Sequence, residues 1–186
     1  DGTGALIHSQ EGVTQGDPLS VILYGLATLP LIRSLKQEFA PQKVAEIWYA
    51  DDGAAGAKFA ELIRFYERLQ ELGPLYGYYP ESTKSILVVR QHNLASAKAY
   101  FKPAGFQVIT GNRYLGGFIG EDFDRTVWIE QQTEGWENDI RKISVAARAY
   151  PQTAYCVLQK CIQQRWQFVQ RVLPGIGSAF DGVRDA

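Results

Sequence analysis

The sequence contains no methionine and only two cysteines, and both scarcities limit what the chain can be. A translated reading frame begins with methionine, so a chain that starts Asp-Gly-Thr-Gly is predicted to be an internal fragment of a longer protein. Cys156 and Cys161 are too few for a disulfide framework or a structural zinc site. We therefore expect reduced thiols in the core of an intracellular protein.

Long apolar runs and an excess of either charge are also missing. No apolar stretch has the length needed to span a bilayer, and the N-terminus has none of the features of a secretory signal. These absences predict a soluble globular chain. The formal net charge of −1 gives no electrostatic argument for nucleic-acid binding, because dedicated nucleic-acid-binding proteins usually carry a basic excess.

The most informative segment that is present reads I-W-Y-A-D-D-G, from Ile47 to Gly53. An apolar strand that turns at Asp-Asp-Gly would hold two carboxylates, Asp51 and Asp52, rigidly at a hairpin tip. Magnesium commonly takes one or two protein carboxylates together with water and substrate phosphates, so such a tip suits phosphoryl or nucleotidyl transfer. Asp-Gly is also a strong hairpin signal, and the alternative is a turn exposed to solvent with no metal.

The flanking sequence predicts a mixed helix and strand architecture. Asp17-Pro18 is a good helix start, since Asp caps free N–H groups and Pro is tolerated at the first helical position. An apolar stripe then predicts a helix to about Glu38, either kinked or interrupted at Pro30. The stripe comprises Leu19, Leu23, Leu26, Ala27, Leu31 and Leu35.

Further elements follow the carboxylate turn. We expect a returning strand at residues 54–57, an amphipathic helix from Phe59 ended by Gly73-Pro74, a buried strand at 85–89, and a helix stopped by Gly105. A strand at 106–110, a turn at Gly111-Asn112 and a partner strand at 114–119 are predicted to form a hairpin. From about Arg125 the pattern is helical, so we predict an α+β part at 1–121 and a truncated helical part at 122–186.

In this order the segments resemble the palm of a reverse transcriptase, on the non-LTR retrotransposon and group II intron side of that family. The resemblance is carried by G-V-T-Q-G-D-P-L-S at Gly12 to Ser20, Y-A-D-D at Tyr49 to Asp52, a lysine before a strand in Gly77 to Lys84, and L-G-G at Leu115 to Gly117. It implies a partial palm, with an antiparallel sheet and packed helices, followed by the start of a helical thumb.

The resemblance also implies a function, RNA-directed DNA synthesis from an RNA template, a DNA primer and deoxynucleoside triphosphates. Nucleotidyl transfer of this kind uses two Mg²⁺ ions about 3.5–4 Å apart, with Mn²⁺ as a possible substitute. Asp51 would be the principal metal ligand and Asp52 the supporting carboxylate. Lys84 would be a proton donor or charge partner for the departing pyrophosphate, and a plain surface lysine is its alternative.

Other matched residues would contact the nucleic acid or the nucleotide. Gln15 and Gly16 would approach the template and the incoming nucleotide, because glutamine offers both donor and acceptor and glycine lets the backbone come close. Tyr49 would stack near the primer terminus, unless it is a core aromatic residue. The turn Leu115-Gly116-Gly117 would grip the primer strand, unless it is only a β-turn.

One departure from the family pattern tempers this interpretation. The family's first catalytic aspartate comes from a strand well before the Gln-Gly loop, and no such segment precedes the loop in the given sequence. We therefore expect the isolated chain to be inactive. A non-catalytic nucleic-acid-binding remnant and the palm of an RNA-directed RNA polymerase remain as alternatives. Localisation is not indicated beyond intracellular, and would be nuclear for a eukaryotic retrotransposon.

Overall fold

The structure is a computed structural model that describes residues 16–40 and 42–185, and it is of the α+β class, as expected. The described residues divide into two compact units. Unit 1 comprises the residues up to Ser85 together with Tyr100–Gly105, and unit 2 comprises Ile86–Ala99 with the residues from Phe106 onward. The predicted separation of a palm from a thumb after residue 121 is a functional division and stays a prediction.

The described helices and strands alternate in the first two thirds of the chain, and helices alone follow. The α-helices are α1 Ser20–Glu38, α2 Phe59–Leu72, α3 Leu94–Phe101, α4 Asp122–Ala147, α5 Pro151–Val157, α6 Gln163–Val172 and α7 Asp181–Asp185. The strands are β1 Val44–Tyr49, β2 Asp52–Ala57, β3 Ile86–Val88, β4 Gln107–Ile109, β5 Gly111–Tyr114 and β6 Gly117–Gly120. Short 3₁₀ helices occupy Gly73–Tyr76, Ser82–Lys84, Gln91–Asn93, Lys102–Ala104 and Gly177–Phe180.

Helix α1 begins near the predicted aspartate and ends at the predicted residue. The Asp17 carboxylate accepts a hydrogen bond of 2.8 Å from the backbone N–H of Leu19, the residue immediately before the helix. The helix runs through Pro30 without interruption. Only the second half of the apolar stripe is buried, with Leu31 and Leu35 fully enclosed.

The first half of that stripe is exposed, which differs from the expectation of one continuous core face. The exposed apolar side chains are Leu19, Val21, Ile22, Leu23 and Leu26. The core of unit 1 instead joins the end of α1 to β1 and α2 through Leu31, Leu35, Phe39, Val44, Phe65 and Leu69. Helix α2 is amphipathic as predicted, and it passes into a 3₁₀ turn at Gly73.

The described strands form three separate two-stranded sheets, where we expected one antiparallel sheet of a palm. Strands β1 and β2 are antiparallel, β3 and β4 are parallel, and β5 and β6 are antiparallel. The strand predicted at 106–110 therefore pairs with β3 and not with the segment that follows it. The strand predicted to be buried at 85–89 is only partly so, since Ile86 is exposed.

The second hairpin turns at a different place from the one predicted. Gly111 and Asn112 lie within β5, opposite Gly120 and Ile119, and the turn is made by Leu115 and Gly116. A Cβ on Gly111 would come within 2.8 Å of the Asp124 Cβ and 2.7 Å of the Phe118 ring. No turn occurs at Gly111. A glycine is favoured there because Phe118 and Asp124 of unit 2 leave no room for a side chain.

The helical part of unit 2 has its own core, and both cysteines lie outside it. The buried cluster comprises Ile129, Trp136, Val169, Leu173, Ile176, Phe180 and Val183. Cys156 and Cys161 are free thiols as expected, but both are exposed, so their predicted position in the core is wrong. Across residues 16–40 and 42–185, no helix combines the length and hydropathy that crossing a bilayer requires.

Candidate carboxylate site

The two adjacent aspartates lie at the tip of the β1–β2 hairpin. Tyr49 pairs with Asp52, so Ala50 and Asp51 form a two-residue loop and Asp52 is the first residue of β2. Ala50 has a φ of 51°, which matches the positive φ that two-residue hairpin turns favour at their first loop position. The turn therefore comes one residue earlier than Asp-Asp-Gly suggested, and it leaves both carboxylates exposed.

Packing on one face of the hairpin keeps the tip in place. Trp48 lies across from Gly53, where an added Cβ would come within 3.0 Å of the indole ring. The Trp48 indole N–H donates a hydrogen bond of 3.2 Å to Glu46 Oε2. The same ring contacts Tyr78 edge to face, with ring centroids 5.6 Å apart. Gly53 is thus needed because the Trp48 ring occupies the space above it.

Tyr78 links this packing to the loop itself. Its hydroxyl donates a hydrogen bond of 3.4 Å to the backbone carbonyl oxygen of Asp51. The Tyr78 backbone is fixed in turn, because its N–H donates to the carbonyl of Gly73 at 2.9 Å. A side chain at position 73 would collide with the Tyr78 carbonyl oxygen. A contact between residues 27 positions apart in sequence therefore supports the carboxylate loop.

The negative charge of the tip contributes to raised pKa values at two tyrosine hydroxyls. Burial raises the pKa of Tyr24, on α1, above its ordinary value, and the negative charge of Asp51 raises it further. Burial is also the main cause of the raised pKa of Tyr78, with smaller contributions from Tyr24, Asp51 and Asp52. Both hydroxyls therefore stay protonated at neutral pH and remain hydrogen-bond donors beside the carboxylate loop.

Tyr49 lies on the opposite, exposed face of the hairpin. Side chains alternate along β1, with Val44, Glu46 and Trp48 toward the core and Tyr49 64% exposed. The alternative that Tyr49 is a core aromatic residue is therefore wrong. Cross-strand partners share a face, so Tyr49 and Asp52 present an aromatic ring and a carboxylate on the same side.

The other matched residues of unit 1 are Gln15, Gly16 and Lys84. Gly16 is an exposed turn residue with a φ of 92°, and Gln15 lies outside the described residues. Lys84 ends the 3₁₀ helix Ser82–Lys84. Hydrogen bonds from Thr83 lower the pKa of Glu81, and the positive charge of Lys84 lowers it further. Within the described chain, Lys84 makes no hydrogen bond or ion pair with Asp51 or Asp52. Its predicted role as a charge partner stays a prediction.

The residues predicted to grip a primer form the tip of the β5–β6 hairpin in unit 2. Leu115 and Gly116 are the loop residues, with φ values of 46° and 82°, and Gly117 begins β6. A Cβ on Gly116 would approach Phe168 to 2.8 Å, and one on Gly117 would approach Val172 to 3.3 Å. Gly116 is thus favoured both by its positive φ and by the close approach of Phe168, whereas Gly117 is in tight contact with Val172 of α6.

Asp51 and Asp52 could supply part of a magnesium coordination sphere. Magnesium accepts one or two protein carboxylates when water and phosphate oxygens complete its octahedron, and two exposed neighbouring carboxylates fit that donor set. Over the ranges 16–40 and 42–185, no group of three or more histidine, cysteine, aspartate or glutamate side chains is arranged to hold a metal. The two-ion arrangement implied by the resemblance needs ligands beyond these two.

Sequence reasoning missed Tyr24 and Tyr78 as neighbours of the site. Tyr24 is a residue of the α1 helix, and Tyr78 belongs to an aromatic segment that gave no local sign of a role. A signal was present in the glycines, because Gly53 and Gly73 leave room for Trp48 and for the Tyr78 backbone respectively. Without a fold, however, nothing connects those glycines to Asp51.

Comparison of the whole chain with protein-family models, with curated proteins and with solved structures finds no match in any of the three.

Proposed function

We propose that this chain is part of the palm of a reverse transcriptase, and that Asp51 and Asp52 are its metal-binding carboxylates. The observation that carries the proposal is the exposed pair of carboxylates on a two-residue hairpin loop, supported from below by Trp48 and Tyr78. A rigid anionic tip of this kind can hold a hard cation at a fixed position, as template-directed nucleotidyl transfer requires. The helical segment from Asp122 onward would be the start of the thumb.

The residues around the tip have separable tasks in this proposal. Asp51 and Asp52 would hold magnesium, which when bound would offset the charge of the nucleotide phosphates. Tyr78 fixes the loop through its hydrogen bond to the Asp51 carbonyl oxygen. The Tyr24 hydroxyl is protonated, and the negative charge of Asp51 contributes to its raised pKa. Tyr49 offers an exposed ring on the same face as Asp52, on which a base or sugar could stack.

A test of the metal site follows the broadening of backbone amide signals on addition of Mn²⁺. We expect broadening centred on Tyr49–Gly53 in the wild-type chain and its loss in Asp51→Asn. Asp122→Asn is the matched control, because Asp122 is an exposed carboxylate of unit 2 that pairs only with Arg125 among the described residues. Localised broadening that survives in Asp51→Asn would contradict the proposed role of Asp51.

A test of the reaction is primer extension on an RNA template with deoxynucleoside triphosphates. We expect little or no extension by this chain alone, because the family's first catalytic aspartate is not among its residues. Extension is expected once a segment that supplies this aspartate is joined upstream, and it should be abolished by Asp51→Asn. A preference for ribonucleotides would favour an RNA-directed RNA polymerase, and nucleic-acid binding without extension would favour the non-catalytic remnant.

A further inference from the structure

Unit 2 contains a cleft that the proposed carboxylate site does not use. It has a volume of about 440 Å³ and lies between the β5–β6 hairpin, α4 and α6. Its lining consists of Arg113, Gly116, Trp128, Gln132, Trp136, Arg165, Phe168 and Val169. Small-molecule sites commonly occupy about 300–1,000 Å³, so the cleft is large enough for a ligand of a few tens of atoms.

Among the described residues that line the cleft, the charged groups are the two guanidinium groups of Arg113 and Arg165, and none is a carboxylate. Within residues 16–40 and 42–185, the guanidinium group of Arg113 makes no hydrogen bond or ion pair. Arg165 contacts Asp139 at 3.4 Å, a long and exposed pairing that leaves its other N–H donors free for a ligand. A guanidinium group can donate two parallel hydrogen bonds to the oxygens of one phosphate or carboxylate, so these two residues favour an anionic ligand.

The remaining lining favours a flat ring. Trp128, Gln132 and Trp136 are four residues apart along α4, so they lie on one face of the helix and point toward α6. Phe168 lies across the cleft, next to Gly116. Aromatic faces stack on nucleobases, and the Gln132 amide can both donate to and accept from a base edge. A ring and an anionic group would thus be bound together.

The charge of α4 argues for a small ligand over a long nucleic-acid strand. This helix carries six acidic and three basic residues. The acidic residues are Asp122, Asp124, Glu130, Glu134, Glu137 and Asp139. A strand that continued along the helix would meet this excess of negative charge. A ligand with one phosphate would lie beside Arg113 and Arg165, and Asp139 is the α4 carboxylate paired with Arg165.

We propose that this cleft binds a free nucleoside monophosphate, with the phosphate held by Arg113 and Arg165 and the base held between Trp128 and Phe168, while the buried Trp136, stacked on Phe180, forms the floor. The cleft shares no residue with the carboxylate turn, and its occupation does not depend on the activity proposed for that turn. It would give the chain a small-molecule binding function in its helical part.

The test is a calorimetric titration of the full chain with adenosine and uridine 5′-monophosphates, accompanied by NMR of the tryptophan indole N–H signals. We expect saturable binding, with shifts of the indole N–H signals of Trp128 and Trp136, the two tryptophans that line the cleft. Arg113→Ala and Arg165→Ala should each weaken binding by at least about tenfold. Arg171→Ala is the matched control, because Arg171 lies on α6 but does not line the cleft.

Other ligands separate the proposal from its alternatives. Unphosphorylated nucleosides and inorganic phosphate alone should each bind at least about tenfold more weakly than the monophosphate. Equal binding of inorganic phosphate would show a simple anion site and overturn the proposal. Binding of single-stranded oligonucleotides with no binding of monophosphates would also overturn it, as would unchanged affinity in Arg113→Ala.

Discussion

The hairpins β1–β2 and β5–β6 both turn through two residues, but their loops differ in backbone conformation and in surroundings. Each joins its strands through two residues, and in each the first loop residue is a non-glycine with positive φ, 51° at Ala50 and 46° at Leu115. The second loop residue differs, being Asp51 in one and Gly116 in the other. Asp51 is exposed, whereas Gly116 packs against Phe168 of α6.

This difference includes the backbone, because Gly116 has a φ of 82° whereas the φ of Asp51 is not positive. A charged residue at the second loop position leaves the tip in solvent, where it can meet a cation or a ligand. A glycine at that position lets a neighbouring helix approach, so the tip becomes part of the packing of its unit. The tyrosines that precede the loops follow the same division, since Tyr49 is exposed and the Tyr114 hydroxyl is buried.

Among substitutions that test this comparison, the largest change in the free energy of unfolding is expected at Gly120, at the base of the β5–β6 hairpin. Gly120 has a φ of 143°, and an added Cβ would collide with the backbone of Thr110 and Gly111. Gly120→Ala should therefore lower the free energy of unfolding by about 3 kcal/mol or more, since backbone strain and steric overlap each cost about 1–3 kcal/mol. Urea denaturation, followed by hydrogen exchange of the β5 and β6 amides, measures the loss.

Gly56→Ala is the matched control for that substitution in the first hairpin. Gly56 lies in β2, its φ is not in the left-handed region, and nothing lies within 4 Å of the position of an added Cβ. We expect a change within about 0.5 kcal/mol, because alanine fits the strand without strain. A loss of similar size in both variants would remove the contrast between a packed hairpin and an exposed one.

A smaller effect is expected at the first loop position of each hairpin. Ala50→Gly relieves a positive φ that costs an alanine about 1–2 kcal/mol, and part of the gain is offset by the greater freedom of glycine in the unfolded chain. We expect a net stabilisation of about 0.5–1 kcal/mol by urea denaturation. Leu115→Gly should gain less, because it also removes a side chain that is only 41% exposed. A larger gain at Leu115 would contradict this ranking.

Local sequence signals predicted the elements that depend on local chemistry. Asp17 was predicted to start α1, and its carboxylate accepts a hydrogen bond from Leu19, immediately before the helix. Gly105 ends the α3 segment with a φ of 77°, as a left-handed cap requires. The α2 helix and the β1–β2 hairpin were also confirmed. Each of these is determined by residues only a few positions apart.

Predictions failed where a distant part of the chain decides the outcome. Gly111-Asn112 is a favourable turn sequence, yet Gly111 is placed in β5 because it packs against Phe118 and Asp124. The strand at 107–109 pairs in parallel with β3, about twenty residues earlier, and no local pattern specifies such a partner. For the same reason the sequence indicated the carboxylates of the candidate site but not the tyrosines beside them.

The smallest expected effect concerns those tyrosines, and it tests whether Asp51 is oriented as described. Because the folded pKa of Tyr24 and of Tyr78 is raised above 10.0, the resulting stabilisation is present below pH 10.0 and is lost as pH rises through the folded pKa. Asp51→Asn removes one cause, so both pKa values should fall toward 10.0, while burial keeps them above it. Titration of ¹³Cζ-labelled tyrosine by NMR measures the change, with Asp122→Asn as the variant that should leave it unaltered. Unchanged titration in Asp51→Asn would mean that the carboxylate points away from both hydroxyls, and the tip would then differ from its counterpart at Leu115-Gly116 only in backbone conformation and exposure.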